Sequence, residues 1–374
     1  MARYEFPTTA ELIEMGAPQE NAVTVYLPAT AAEHEVAKTT VKSSMDEAIR
    51  TLRERGANHA LETAFRERSA EILADDCWHR LSRSLAIFST AEKAEIFVVP
   101  NNLAHQLQVS KYFDLGQFVR AVAGPQDAYA LTVSAHGWNV WHASADEVAH
   151  EFEIDAEGIG DVAEATNRAT VRGRAAVRRL QGDEGNKVLL ESYAKQVAET
   201  VGLALNRDDP TGQRPLFLFA ADPLQDMVGH VGFGTREVVV VPGSPDELRA
   251  DQIDEAIRSR LDGINAARAS TTVNTIADGV GKGLVATDLV DIARAAVGGS
   301  VDTLVYDFTV DVLGRLHNDT GALEYSDDGY DLLSRIAIVV LANGGTVVPV
   351  RAADIDAEIW NGTAVARLRH PLSQ

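Results

Sequence analysis

The chain has 374 residues, of which 45% are hydrophobic and 24% are charged, and its formal net charge is −21. This length predicts two or three domains, each with enough apolar side chains for its own core. The charge argues against a protein that coats nucleic acid without specificity, because such binding requires an excess of basic residues. The apolar runs are far shorter than the ~20 residues of a membrane-spanning helix, and the first residues lack a signal-peptide pattern. We therefore expect a soluble, cytoplasmic protein with no membrane partner.

The first part of the chain, residues 1–124, predicts an α/β domain. Helical patterning over residues 35–73 is interrupted at Arg55-Gly56-Ala57, which indicates two consecutive helices. Short apolar or alternating runs rich in Val, Ile, Phe and Tyr predict strands before and after these helices. The predicted strands cover residues 23–28, 84–89 and 94–100. Gly124-Pro125 indicates the first domain boundary.

The second part, residues 125–245, predicts a β-hairpin followed by a long helix. Residues 128–134 and 138–143 are β-rich and are separated by His136-Gly137, which favours a turn. Over residues 188–205 the apolar side chains fall on one helical stripe. Buried strands are predicted at 216–220 and 237–241. The run Pro242-Gly-Ser-Pro245 indicates the second boundary.

The third part, residues 246–374, alternates helices with short strands, which is typical of a layered α/β domain. A long acidic helix is predicted from about residue 245 to residue 276. The further predicted helices cover 285–297 and 328–342, and the strands cover 303–306 and 346–350.

The order of these elements resembles the archaeo-eukaryotic class-one release factors and Pelota. The runs that carry the resemblance are Val23-Thr-Val-Tyr-Leu-Pro28, Leu85–Ser89, Tyr129–Ser134, Pro215–Ala220, Gly281-Lys-Gly-Leu-Val-Ala286, Gly299–Tyr306 and Leu341–Val348. The strongest similarity is to the bacterial branch, which includes ribosome hibernation factors of the Balon type. The resemblance implies three α/β domains, of which the middle and C-terminal ones each have a mixed sheet with helices packed on it. It also implies a C-terminal domain similar to kink-turn-binding ribosomal proteins.

The function implied by the resemblance is ribosome association, for hibernation or rescue by occupancy of the A site. The implied partners are ribosomal RNA, tRNA and a translational GTPase. Release factors carry Gly-Gly-Gln in a middle-domain loop that positions water for peptidyl-tRNA hydrolysis, and this sequence has no Gly-Gly-Gln. The stop-codon motif Asn-Ile-Lys-Ser is also absent, and only Lys42-Ser43 matches it. We therefore expect a protein that is not an enzyme.

Two alternatives stay open. The chain could be a hydrolase acting on a small molecule or on tRNA with an unidentified catalytic group, which would require convergent titratable side chains in a concave site. It could also be an interaction scaffold that has kept the fold and lost the ribosome.

The middle segment corresponding to the Gly-Gly-Gln loop is the densest basic stretch of this acidic chain. Arginine binds phosphate with two parallel hydrogen bonds and stacks on bases, so the stretch predicts contact with ribosomal RNA or tRNA. The alternative is a solvated helix face paired with acidic residues. The candidate RNA contacts are Arg168, Arg172, Arg174, Arg178, Arg179 and Lys187, with Lys42 on the first domain.

Other residue clusters predict no cofactor and no metal. Gly279-Val-Gly-Lys-Gly283 lacks the spacing of a P-loop and is typical of a turn that ends a helix. His142, His150 and the neighbouring Glu151 and Glu153 fit no common zinc spacing. The single cysteine, Cys77, has no identifiable catalytic partner and excludes an internal disulfide.

Overall fold

The chain folds into two compact units in a computed structural model. One unit comprises Met1–Pro125 and Asp262–Gln374, and the other comprises Gln126–Leu261. The residues that the structure describes are 2–123, 127–144, 148–154, 156, 158–165 and 183–371. Within these ranges, none of the helices combines the length and the apolar character needed to cross a bilayer. The division into segments 1–124, 125–245 and 246–374 stays a prediction, because compact packing does not by itself define independently folding segments.

The N-terminal segment forms the first sheet and the helices packed against it. Its elements are α1 (Thr9–Met15), β1 (Ala22–Pro28), α2 (His34–Glu54), α3 (His59–Ala74), β2 (Ser84–Ser89), β3 (Ala94–Val99), β4 (Gln106–Ser110) and α4 (Gly116–Ala123). The two consecutive helices and the three predicted strands are confirmed. Gly56 has φ of +91°, and the Asn58 side chain accepts from the Leu61 N–H at 2.9 Å to cap α3.

The first sheet has the antiparallel order β3-β2-β1-β4 and is buried on both faces. Val23 and Val25 of β1 point into a core shared with α2 and α3. Tyr26, one residue further along, points to the opposite face, because successive side chains of a strand alternate. The two faces therefore require two separate covering layers.

The middle segment forms a five-stranded sheet with helices. Its elements are β5 (Ala128–Ser134), β6 (Gly137–Ala143), β7 (His150–Glu151), α5 (Val162–Ala165), α6 (Asp183–Asp208), β8 (Leu216–Ala220), α7 (Leu224–Val231) and β9 (Val238–Pro242). The strand order is β7-β6-β5-β8-β9. The predicted β5–β6 hairpin is confirmed, and β5, β8 and β9 run parallel. Apolar residues of α6 and α7 pack on one face of the sheet, around Leu131 and Leu218.

The C-terminal segment begins with a long helix and continues with two small sheets. Its elements are α8 (Ala250–Ala277), β10 (Val285–Ala286), α9 (Leu289–Val297), β11 (Val301–Asp307), β12 (Leu313–Leu316), β13 (Leu323–Tyr325), β14 (Tyr330–Asp331), α10 (Leu332–Ala342), β15 (Thr346–Val350) and β16 (Ala364–Leu368). The sheet orders are β10-β16-β11-β15 and β13-β12-β14. The mixed α/β character predicted from the sequence is confirmed.

Two helices of this segment start later than predicted, because an aspartate caps each of them. The Asp288 carboxylate accepts from the Val290 N–H at 2.8 Å, so α9 starts at Leu289 and residues 285–286 are a strand instead. Asp331 caps α10 in the same way. Aspartate favours this position because its oxygen satisfies the unpaired N–H groups of the first turn. The acidic helix α8 begins at Ala250 rather than near residue 245.

The C-terminal segment covers the second face of the first sheet. Tyr26 and Phe88 share one buried core with Leu333 and Ile336 of α10. Polar contacts accompany this core: the Leu115 N–H donates to Ser334 Oγ at 2.8 Å, and Arg335 donates to the Gly16 carbonyl at 2.7 Å. The two ends of the chain therefore form one unit.

Two buried carboxyl groups lie where these ends meet. Asp114 accepts from the Gly116 N–H at 2.9 Å, and Asp331 accepts from the Ser334 N–H at 2.7 Å and the Val312 N–H at 3.1 Å. Burial raises the pKa of Asp331, and the nearby Asp114 carboxylate raises it further. Burial likewise raises the pKa of Asp114. The folded chain therefore retains protons that the unfolded chain releases near its ordinary carboxyl pKa.

We expect this pair to make the protein less stable as the pH rises. A carboxyl with a raised folded pKa contributes stability below its unfolded pKa, and that contribution is lost as the pH rises through the folded pKa. Each such group changes the free energy of unfolding by at most ~1.4 kcal/mol per pH unit. Asp114→Asn removes one charge of the pair, so urea unfolding should show a flatter decline between about pH 5 and pH 8.

The matched control is Asp327→Asn, which removes the same charge from an exposed position in the same unit. Its pH dependence should follow that of the wild type. An unchanged decline in Asp114→Asn would show that the two carboxyl groups do not interact.

Candidate nucleic-acid interface

Most of the predicted RNA contacts lie in a segment that precedes α6. Arg168, Arg172, Arg174, Arg178 and Arg179 fall within residues 166–182, which lie outside the described residues. The sequence of this segment contains five arginines and no acidic residue. Lys187 and Lys42 are described, and they belong to different units.

Lys187 is exposed near the start of α6. Its Nζ lies 4.0 Å from the Glu191 carboxylate, one helical turn further along. The same spacing recurs at Lys195 and Glu199, 3.8 Å apart. Exposed pairs of this kind contribute about 0.3–0.5 kcal/mol. A phosphate can therefore displace Glu191 from Lys187 at little energetic cost.

The apolar stripe predicted on α6 is confirmed from Tyr193 onward and fixes that part of the helix to the sheet, whereas Val188, its first predicted member, is 56% exposed. Tyr193, Val197, Val201 and Leu205 are each 0% exposed and share the core with Leu131 of β5. Full burial of such a side chain contributes about 1.5–3 kcal/mol. The helix is consequently anchored to the sheet from Tyr193 onward.

A buried ion pair holds the C-terminal end of α6. The side chains of Arg236 and Asp209 are 1% and 7% exposed, with Nη1 and Oδ2 2.8 Å apart. Arg236 also donates to the carbonyls of Leu205 and Asp209, at 3.3 and 3.1 Å, and so satisfies the unpaired acceptors at the helix end.

The hydrogen bonds to Asp209 determine its ionisation. Burial alone would raise the pKa of Asp209, but hydrogen bonds from Thr211, the Arg214 backbone and Arg236 together hold it far below its usual range. The carboxylate therefore stays charged opposite Arg236. We call Arg236 and Asp209 the helix-end clamp.

A second cluster lies beside the clamp and is partly exposed. Arg214 Nη1 lies 2.6 Å from the Asp208 carboxylate and donates to the Tyr129 hydroxyl at 2.5 Å. Tyr129 also donates to Asp208, and the guanidinium carbon of Arg236 lies 5.2 Å from the centre of its ring. Burial, with the Asp208 hydrogen bond, raises the pKa of Tyr129 to about 12.

The sequence analysis missed the clamp and this second cluster. The available signal was local: Asp208 and Asp209 end the helix, Arg214 precedes the buried strand β8, and Arg236 precedes β9, which was predicted to be buried but is a partly exposed edge strand. An acid at a helix C-terminus is unfavourable unless a cation compensates it. That mismatch predicts an arginine partner without identifying which one.

Lys42 lies on the exposed face of α2, whose opposite face is buried against the first sheet. On the same helix, Lys38 Nζ lies 5.5 Å from the centre of the Trp78 ring, and Arg53 pairs with Glu62 at 2.5 Å. Exposed acids, among them Asp46 and Glu47, adjoin Lys42 in the sequence. Lys42 is thus accessible, but it stands on a surface of mixed charge.

The remaining sequence candidates are two histidines, the cysteine and a glycine-rich turn. The rings of His142 and His150 lie 5.6 Å apart, and the described residues contain no group of three or more metal-ligating side chains. Cys77 is buried, and burial raises the pKa of its thiol to about 12, so it is not a nucleophile at neutral pH. Gly283 has φ of +67° and ends the short turn after α8, as predicted for a structural glycine.

The five-stranded middle sheet and helix α6 lie within a segment that matches a known family. Residues 125–267 match the model of bacterial archaeo-eukaryotic release factor family 11. Over these residues the match confirms the resemblance to the bacterial branch of the archaeo-eukaryotic release factors. No curated protein matches the chain.

Solved structures of Pelota and Dom34 are among those similar to the chain. Pelota of Archaeoglobus fulgidus is 14% identical, with 78% of this chain and 80% of that chain covered and a TM-score of 0.39. A ribosome-bound archaeal Pelota, solved with ABCE1, is 10% identical, with 99% and 96% covered and a TM-score of 0.40. Dom34 of S. cerevisiae is 11% identical, with 75% and 74% covered and a TM-score of 0.36. Because these sequence identities and TM-scores are low, the function of those proteins cannot be assigned to this chain.

We expect the helix-end clamp to be a large determinant of stability. Arg236→Met leaves the Asp209 carboxylate buried without its cation, which should lower the free energy of unfolding by about 3–5 kcal/mol. Urea unfolding of the full chain measures this change. Adding Asp209→Leu should recover part of the loss, because no buried charge then remains unpaired.

The control for this experiment is Arg249→Met, since Arg249 pairs with Asp251 on the surface with side-chain exposures of 73% and 64%. Its effect should stay within about 0.5 kcal/mol. A similar cost for the two single variants would contradict the role assigned to the clamp.

Proposed function

We propose that this protein is a ribosome-associated factor that acts by occupying the A site and does not hydrolyse peptidyl-tRNA. The observation that carries the proposal is the family match over residues 125–267 combined with the sequence of residues 166–182. The resemblance puts the Gly-Gly-Gln loop of release factors in this region, where the present chain has arginines instead. The proposed role is hibernation or rescue.

Charge supports a local contact with RNA rather than a general one. A net charge of −21 repels RNA, but at physiological salt that repulsion is screened beyond ~8 Å. The five arginines among residues 166–182, a stretch that itself contains no acidic residue, provide a concentrated attraction within this range. Guanidinium groups suit this contact because they pair with phosphate bidentately and stack on unpaired bases.

The packing of the described part of α6 also supports the proposal, because it holds the helix in place. Its buried stripe and the helix-end clamp fix the helix, and Lys187 adds an exposed cation near its start. A binding segment attached to a rigid base loses less entropy on binding than one attached to a mobile base.

We propose ribosomal RNA and tRNA as the nucleic-acid partners, Lys42 as a separate contact in the N-terminal segment, and a translational GTPase as the protein partner. The alternative function, a hydrolase acting on a small molecule or on tRNA, needs a nucleophile next to a general base. Cys77 does not favour it, since the residue is buried and burial raises the pKa of its thiol to about 12.

The arginine segment should dominate the salt dependence of ribosome binding. Replacing Arg172, Arg174, Arg178 and Arg179 with alanine should weaken binding and flatten the slope of log K against log salt. Each lost phosphate contact removes about 0.7–0.9 from that slope. Pelleting of the full chain with purified ribosomes across a salt series measures both quantities.

A charge-matched control separates local contact from net charge. The quadruple alanine variant of Arg66, Arg249, Arg294 and Arg315 removes as many charges from exposed positions that pair with acids. This variant should bind like the wild type. Equal affinity and equal slope for all three proteins would exclude the arginine segment as the RNA contact.

We also expect no peptidyl-tRNA hydrolysis, because no Gly-Gly-Gln is present to position the attacking water. The measurement is release of labelled formyl-methionine from loaded ribosomes, with a release factor that contains Gly-Gly-Gln as the positive control. Release by this protein at a comparable rate would refute the occupancy mechanism.

A further inference from the structure

A small cavity lies at the end of the middle sheet, away from the arginine segment in sequence. It has a volume of about 210 Å³, and its lining includes Thr132, Ser134, His136, Trp138, Trp141 and Asp246. β5 and β9 run parallel within the sheet, and the cavity draws on the carboxyl end of β5 and on the loop that follows β9. Crevices at the carboxyl ends of parallel strands are the usual ligand positions in open α/β sheets.

The two tryptophans come from different faces of the hairpin. Trp138 pairs with Val133 and packs against the core under α6, whereas Trp141 pairs with Ala130 and points to the other face. Trp141 is held in place, because its Nε1–H donates to Thr132 Oγ1 at 3.1 Å. Thr132 in turn donates to the Asn139 carbonyl at 3.1 Å. The indole is therefore a fixed wall of the cavity.

Asp246 supplies a permanent negative charge at the same cavity. A hydrogen bond from Ser134, with a second from Ser244 at 3.1 Å and the nearby His136, holds the pKa of Asp246 below its usual range. Within the described part of the chain, no lysine or arginine pairs with this carboxylate. Its neighbour Glu247 is exposed and adds to the negative potential.

The combination of ring and carboxylate selects a cation. The face of an indole attracts cations through its quadrupole, and an ionised carboxylate adds direct Coulomb attraction. The lining contains no lysine or arginine that could hold a phosphate. A guanidinium suits this pair of groups better than an ammonium, because it can stack on an aromatic ring and also pair bidentately with a carboxylate.

We infer that this cavity binds an arginine side chain of a basic peptide, with Trp141 stacking on the guanidinium and Asp246 pairing with it. The ligand class is distinct from the anionic RNA assigned to the arginine segment. The inference is independent of ribosome binding and holds for a partner encountered elsewhere.

The test uses the full chain and a blocked arginine, N-acetyl-arginine amide, as the probe. The chain contains four tryptophans, so their indole N–H signals in an NMR spectrum can be assigned with single Trp→Phe variants. The arginine probe should shift the Trp141 signal. The neutral analogue N-acetyl-citrulline amide should bind at least five times more weakly, since it keeps the shape and lacks the charge.

Asp246→Asn is the decisive variant, because Asp246 is exposed and its replacement leaves the core intact. Arginine affinity should fall at least threefold. Asp226→Asn, an exposed acid on α7, is the charge-matched control and should bind like the wild type. Equal binding of arginine and citrulline, no effect of Asp246→Asn, or a Trp141 shift produced by adenosine monophosphate rather than arginine would each overturn the inference.

Discussion

The fold depends on a sheet with two apolar faces. Helices α2 and α3 can cover only one side of the first sheet, so Tyr26, Phe88 and Phe97 need a second layer. Exposure of such a face would cost about 25 cal/mol for each Å² of apolar surface left in water. The C-terminal segment supplies that layer through α10. Phe118 of α4 packs in the same core, and its ring centre lies 4.7 Å from that of Phe97. The two ends of the chain must therefore fold together.

The packing of the two ends of the chain against each other also explains why polar groups are buried between them. The backbone N–H groups of residues 115 and 116 are buried beneath the C-terminal segment. Each of them needs an acceptor, because water is excluded there. Ser334 and Asp114 provide those acceptors. Asp331 serves the neighbouring helix start, where three N–H groups converge on its carboxyl. Burial of two carboxyl groups makes this junction sensitive to pH. The sensitivity arises because these carboxyl groups are the acceptors for buried backbone N–H groups.

The two recognition sites that we propose on the middle unit have opposite charge preferences. Its arginine segment, attached to the helix that the clamp holds, is suited to phosphate, and the cavity at Trp141 and Asp246 is suited to a cation. An acidic protein gains selectivity from this arrangement, because its general field disfavours RNA except where arginines are concentrated. The buried stripe of α6 and the buried pair Arg236–Asp209 fix the helix from Tyr193 to its C-terminal end.

The sequence by itself determined the features that depend on neighbours along the chain. Period-2 and period-3.6 patterns identified three of the four strands of the first sheet, the hairpin and most of the stripe of α6, and the order of these elements gave the resemblance to release factors. Helix starts were less accurate, since Asp288 and Asp331 acted as caps where the apolar pattern alone suggested longer helices. Only the tertiary structure decided which segment covers the first sheet, which arginine pairs with Asp209, and that Asp246 and Trp141 line the same cavity. These contacts join residues 27 to more than 300 positions apart, and no local pattern encodes the distance between them.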